Sequence, residues 1–294
     1  MTHAQMPHAE RIEGSTYRVY FTCRDAQNRS HIGWLVFDLE RPGEVQDLAT
    51  EPLLAPGPIG RFDDVGIMTS CLVQAEGERR FYTIGWNIKT PAPMHTSIGF
   101  AAGPADGAPT ITRRLAGPVF ERNPVNPYYV SCPWVLADEA GAGWRMWFMN
   151  GLEWGVRADG TPASRYDVGH ARSRDGIHWT PDPQPCLELF HPNELAIARP
   201  QVIRDGDRWR MWHCYRGTDF DYRIGYAESA DGVVWTRRDD HALALLASGG
   251  GFDSEATCYP FVFDHEGQRF MLYCGDRFGQ GGFGLARLNE GWRP

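Results

Sequence analysis

Residues 144–151 read WRMWFMNG and residues 209–217 read WRMWHCYRG, two segments that nearly match. Looser copies stand at 17–25 (YRVYFTCRD), 81–87 (FYTIGWN) and 270–276 (FMLYCGD). Each copy is followed by a second strand-like stretch containing a glycine: HIGWLVFDL, TSIGFAAG, YDVGHARS, YRIGYAES and GGFGLARL. Two copies continue into a third piece, SRDGIHWT and SADGVVWT. Four are preceded by an apolar strand (IMTSCLVQ, YYVSCPWVL, AIARPQVI, ATCYPFVF), and the N-terminal HAQMPHAERI serves as the fifth. A unit of up to four antiparallel strands, repeating five times at roughly fifty to sixty-five residues, predicts an all-β fold, a five-bladed β-propeller. The repeats leave no room for a second domain, so one propeller domain is expected over residues 1–294. A β-sandwich does not produce such copies, and a doubly wound α/β fold needs helices that the pattern lacks. Only NEGWRP follows the last repeat, so the outer strand of the fifth blade is expected to be incomplete.

Composition agrees. The 294 residues include 33 Gly, 21 Pro, 11 Trp, 11 Tyr and 15 Phe, the balance of many short strands joined by turns. A net charge of −8 disfavours nucleic acid and anionic membrane as partners. No apolar run approaches the roughly eighteen residues of a membrane span. The N-terminus lacks a basic segment followed by an apolar one, so no secretory signal is read there. Seven cysteines, without CxxC spacing, fit a reducing cytoplasm better than a disulfide framework. No phosphate-binding glycine loop, GxSxG elbow or HExxH occurs, so no cofactor and no metal is expected. The expected partner is a small-molecule or oligosaccharide substrate, with the oligomeric state unread.

In a propeller the first strand of each blade lines the central channel, and the loops between second and third strands open on the same face. Aligning the inner strands on Cys71, Pro133, Pro200 and Pro260 puts Asp64, Asn126, Asn193 and Asp253 at one level, with Glu194 one position further on. Glu194 and Arg199 then line a wet channel mouth, which explains charged residues in an otherwise apolar strand. The loops add Arg24, Trp86, Asn150, Trp154, Arg216 and Asp276. Carboxylates, guanidinium groups, amides and indoles around one opening suit a polyhydroxylated ligand. Reaction at an anomeric carbon needs a proton donor and a second carboxylate, and Asp64, Glu194 and Asp253 are the best-placed acids. The SxDGxxW pieces are read as turns, with Asp175 and Asp231 satisfying turn amides, and Trp147 and Trp212 as core.

With the segments HAQMP, YFTCRD, PGPIGRFDDVGIMTSCLV, GWN, NPYYVSCPWVL, WRMWFMNG, ELAIARPQVI, YRIGYAESADGVVW and GGFDSEATCYPFVF, essentially the whole chain resembles the five-bladed propeller glycosidases of glycoside hydrolase families 32, 43, 68 and 130. It is most similar to uncharacterised bacterial relatives of those families. The resemblance implies three acids: a base or nucleophile, a transition-state stabiliser and a general acid. The aspartate those enzymes place on the first inner strand is missing, since THAQMPHAERI offers His3, Gln5 and His8. The third inner strand, VNPYYVSCP, also lacks an acid. On this reading Glu194 is the general acid, Asp64 the base or nucleophile, and Asp253 the stabiliser. Arg24, Arg199 and Arg216 bind hydroxyls or an anionic substituent. The expectation is a glycoside hydrolase-like or phosphorylase-like enzyme acting on a glycoside or sugar conjugate. A non-hydrolytic carbohydrate-binding propeller, or a repurposed biosynthetic enzyme using the same pocket, stands beside it.

Overall fold

The computed structural model describes residues 1–138, 143–157, 159–239 and 250–289. The architecture is all-β, built from hairpin-connected antiparallel groups. The first holds β1 (Thr2–Glu13), β2 (Thr16–Arg24), β3 (Ser30–Asp38) and β4 (Arg41–Leu48). The second holds β5 (Gly66–Ala75), β6 (Glu78–Asn87), β7 (His95–Pro104) and β8 (Thr112–Arg113). The third holds β9 (Val130–Ala137), β10 (Trp144–Val156), β11 (Pro162–Ser173) and β12 (Trp179–Pro181). The fourth holds β13 (Glu194–Asp205), β14 (Arg208–Gly217), β15 (Arg223–Ser229) and β16 (Thr236–Arg237). The last holds β17 (Cys258–His265), β18 (Gln268–Cys274) and β19 (Phe283–Arg287). The place of a further outer strand, at 290–294, lies outside the described residues.

Consecutive groups pack through their second strands. Tyr20, Phe81, Tyr82, Trp147, Phe148 and Met211 are fully buried, and each such side chain contributes roughly 1.5–3 kcal/mol of burial. Third-strand glycines make room for second-strand rings in two of the groups. A Cβ on Gly169 would lie 2.6 Å from the Phe148 ring, and one on Gly225 would lie 2.4 Å from His213. The SxDGxxW turns are clasps between groups. Asp175 accepts the amides of Ile177 and His178, and Asp231 those of Val233 and Val234. The neighbouring group then grips each turn: Tyr82 donates to the Gly176 carbonyl at 3.0 Å, and Trp147 to that of Gly232 at 2.7 Å.

The inner strands share a device absent from the sequence reading. Each carries one extra residue against its partner strand, between Gln5 and His8, Met68 and Cys71, Ser131 and Trp134, Ala198 and Gln201, and Cys258 and Phe261. These are β-bulges, which bend a strand and re-aim a side chain. Met6, Cys132, Arg199 and Tyr259 take φ of 53°, 46°, 55° and 54° there, each directly before a proline. The residue that matches those prolines in β5 is Ser70, so the alignment on Cys71 is one residue out. Corrected, the level that contains Asn126, Asn193 and Asp253 contains Asp63, and not Asp64.

Bonds between inner strands run around the axis. Ser70 donates to the Pro133 carbonyl (2.8 Å), Trp134 to that of Val202 (2.8 Å), and Gln201 exchanges two bonds with the Val262 backbone. The first and last groups also meet, through Tyr17 and His265 (3.0 Å) and through the Cys274 thiol and the Ala4 carbonyl.

Candidate functional site

A cavity of about 610 Å³ opens among the ends of the inner strands and the loops that follow the second strands. Met6, Met68, Cys132, Ala198 and Tyr259 from the inner strands line it. Its walls carry Trp86 and Trp154, the tyrosines Tyr166 and Tyr222, and the cations Arg24, Arg157 and Arg216. Among the described residues that line it, Asp221 is the only carboxylate.

The strand ends hold these groups in place. Arg24, the last residue of β2, donates from Nε to Gln5 (3.1 Å) and from Nη1 to Asn28 (2.8 Å). Trp86, near the end of β6, lies across Gly66 and donates to Ser30 at 3.2 Å. A Cβ on Gly66 would stand 2.0 Å from the indole nitrogen, so only glycine leaves room for that ring. Trp154 packs on Tyr129 with ring centres 5.7 Å apart. Arg216 is held between Tyr166 and Tyr222, 5.5 and 5.8 Å from the two rings. Its Nε donates to the Tyr166 hydroxyl at 3.3 Å, and that hydroxyl contacts the hydroxyl of Tyr222. Burial works against the charge of Arg216, but the two tyrosines outweigh it and hold the guanidinium above its ordinary pKa. Burial pushes both tyrosines up, which leaves them as hydrogen-bonding phenols and not as ready nucleophiles.

Of the residues expected to bind substrate, Arg24, Trp86, Trp154 and Arg216 line this cavity and Asn150, Arg199 and Asp276 do not. Asn150 is buried in a relay, accepting from Asn126 (3.0 Å) and donating to Asp167 (2.9 Å). Asp276 closes a turn, accepting the amides of Glu255 (2.7 Å) and Ala256 (2.8 Å) and the hydroxyl of Ser254 (2.8 Å). Arg199 has no exposed surface; it stands on the bulge, with φ of 55°, and is sealed among the inner strands.

None of the three acids expected to be catalytic lines this cavity, and each is tied into its own group of strands. Asp64 accepts the Gly60 amide (2.8 Å) and the Asn87 side chain (2.6 Å). Asp253 accepts from Tyr273 at 2.8 Å. Glu194 is buried and ion-paired with Arg237 at 2.7 Å, and it also accepts the Phe190 amide at 2.6 Å. Asp63 makes a similar brace to Arg113 at 2.6 Å. In both braces an acid at the head of an inner strand reaches an arginine on the outermost strand of the same group. Glu194 and Arg199 therefore do not pair, and their shared strand sends them to different partners.

Sequence reading missed Arg157, Tyr166 and Tyr222, and it placed Asp221 among the loops of the same face without giving it a role. A signal for the tyrosines was available: Tyr166 in YDVGH and Tyr222 in YRIGY stand at the same place before the third-strand glycine. Arg157 lies just past Trp154, where β10 runs on beyond the length of its sister strands.

No family model matches the chain. It is 41% identical over 289 residues to the uncharacterized protein Rv1502 of Mycobacterium tuberculosis (strain ATCC 25618 / H37Rv), covering 98% of this chain and 93% of that one. Among solved structures it is similar to a glycoside hydrolase, with a TM-score of 0.73 at 18% identity over 97% of this chain and 86% of the other. An exo-1,5-alpha-L-arabinanase from a bovine ruminal metagenomic library superposes with a TM-score of 0.62 at 13% identity, over 98% of this chain and 93% of the other. A thermostable family-43 glycoside hydrolase gives 0.61 at 14% identity, over 99% and 92%. Identities this low carry the fold and not the chemistry. The chain belongs to the family of the mycobacterial protein Rv1502, on the propeller fold of family-43-like glycoside hydrolases.

Proposed function

We propose that the chain is a single five-bladed propeller domain whose central cavity takes an anionic sugar or sugar conjugate. The observation that carries this is the charge of the lining: among the described residues, three guanidinium groups against one carboxylate, beside two tryptophans. Guanidinium forks match carboxylate and phosphate oxygens, and indole faces suit the apolar face of a sugar ring. A cavity of about 610 Å³ has the volume of a small-ligand site. The seven free, buried cysteines support the cytoplasmic placement expected from the sequence.

Recognition is favoured over hydrolysis, because glycosidic chemistry needs two working carboxyl groups about 5–9.5 Å apart. A second reading keeps the hydrolase class, on the observation that Asp221 stands in the cavity of a glycoside hydrolase fold. Asp221 would then donate the proton, and an oxygen of the anionic substrate itself would supply the second group. Calorimetry against D-galacturonate, D-glucose 6-phosphate and their neutral parent sugars, with a turnover screen on aryl uronides and glycosyl phosphates, tests both readings. Anion-selective binding without turnover supports recognition. Turnover abolished by Asp221→Asn supports the second reading. Binding of neutral sugars alone overturns the proposal.

A further inference from the structure

Arg199 is sealed within the axis, with no exposed surface. Its Nη1 donates to the carbonyl of Ser70 and to its hydroxyl at 3.0 Å, and Nη2 reaches the Pro7 carbonyl at 3.4 Å. The guanidinium carbon lies 5.7 Å from the centre of the Trp134 ring. Its Nε has no partner, and no carboxylate among the described residues pairs with it. The side chain is thus held by β1, β5 and β9 as well as its own strand, through dipoles and a π-face. These satisfy N–H groups but leave a full positive charge in a low-dielectric setting, where such a charge is costly. Neighbouring His8 is held neutral, its pKa lowered to about 3 by burial and by Arg199.

A mechanical bolt at this place would not need a charge. Gln201, two residues on, joins β13 to β17 with a neutral amide that makes bonds of 2.8 and 2.7 Å. The residues around Arg199 lead to the cavity: Ala198 adjoins it in sequence, Met6 adjoins Pro7, Cys132 adjoins Pro133, and all three line that cavity. Building on the reading that this cavity takes an anionic sugar, we propose that Arg199 is a specificity-determining residue. It is a permanent cation, sealed beside residues that line the cavity, that favours an anionic over a neutral ligand without touching either. Arg24, Arg157 and Arg216 meet the ligand from wetted walls, where salt screens them. A sealed charge is screened far less.

Calorimetry separates these contributions. D-Galacturonate is compared with D-galactose, and D-glucose 6-phosphate with D-glucose, on wild type, Arg199→Lys and Arg199→Met, at about 0.05 M and about 1 M salt. Arg199→Met is expected to lower the anion-to-neutral affinity ratio at least tenfold, with neutral-sugar affinity within about twofold of wild type. Arg199→Lys retains the ratio, and the wild-type ratio survives high salt. A folded Arg199→Met protein with an unchanged ratio overturns the proposal. So does a wild-type preference that vanishes at high salt, or its loss in a folded Arg199→Lys protein. The last two tests decide the matter if Arg199→Met does not fold. A wild type without any anion preference sinks the functional reading first, before Arg199 is altered.

Discussion

Replacing Glu194 by alanine separates a bracing acid from a catalytic one. The Glu194 side chain is fully buried, accepts from Arg237 at 2.7 Å and from the Phe190 and His191 amides at 2.6 and 3.4 Å. Among the described residues, truncation leaves Arg237 with the Asp239 carboxylate, 2.8 Å from its Nε. Breaking a buried ion pair by removing one partner costs about 3–5 kcal/mol, and the stranded amides put the loss toward the upper part of that range. For a chain of this size about 1 kcal/mol corresponds to about 2 °C, so a fall in Tm of about 8–10 °C is expected. Calorimetry on the folded fraction should show affinity for the preferred anionic sugar within about twofold of wild type, because Glu194 does not line the cavity. Glu194→Gln keeps an acceptor for the amides and should lose about half as much. A Glu194→Ala protein with native Tm and abolished turnover would refute the brace and restore Glu194 as a general acid.

Three further outcomes follow from the same structure. Arg216→Met should weaken binding of the preferred anionic sugar at least about tenfold while costing stability no more than about 1 kcal/mol, since its Nε bond to the Tyr166 hydroxyl is long and to a neutral acceptor; titration calorimetry with a melting curve checks both, and unchanged affinity contradicts the site. Gly66→Ala should push the Trp86 indole out of place, weakening sugar binding about 3–10-fold and shifting tryptophan fluorescence, whereas an unchanged spectrum and affinity would mean that Trp86 does not need the glycine. Burial pushes the Asp167 carboxyl up to about 6 from an ordinary 3.8, so keeping it charged in the fold costs about 2–3 kcal/mol above pH 6, and that penalty fades as pH falls from 6 to 4. Asp167→Asn should therefore raise Tm at pH 7–8 and not at pH 4; an equal gain at both pH values contradicts the assignment.

The architecture was legible because it is written repeatedly. WRMWFMNG and WRMWHCYRG become β10 and β14, and the glycines of YDVGHARS and YRIGYAES clear space for Phe148 and His213. A feature that recurs in every unit survives errors at any one of them. The loop residues at strand ends were legible for a related reason. Arg24, Trp86, Trp154 and Arg216 all stand at or near the end of a second strand, a place that in a propeller opens toward the cavity, although Asp276 just past β18 is drawn into a turn instead.

The partners of the acids were not legible because a carboxylate near the head of an inner strand has two ways to be satisfied, and spacing cannot tell them apart. It can face water and ligand, or it can turn back into its own group and meet an arginine on the outer strand. The second outcome needs a cation about forty to fifty residues later, a link that pattern reading along one strand does not see. Glu194 found Arg237 and Asp63 found Arg113 in this way. The bulges compound the difficulty. One extra residue reverses which side of a strand the following side chains occupy, and β5 reaches its bulge without the proline that marks the others. Aligning on Cys71 instead of Ser70 was enough to choose Asp64 over Asp63. It also hid the consequence for β13: Glu194 stands well before the bulge and Arg199 stands on it, so two charges on one strand are delivered to separate places. The acid is thereby tied to Arg237 of its own group, while the cation is sealed among the inner strands. That division of charge is why the site is read as a receptor for anions and not as a pair of working carboxylates.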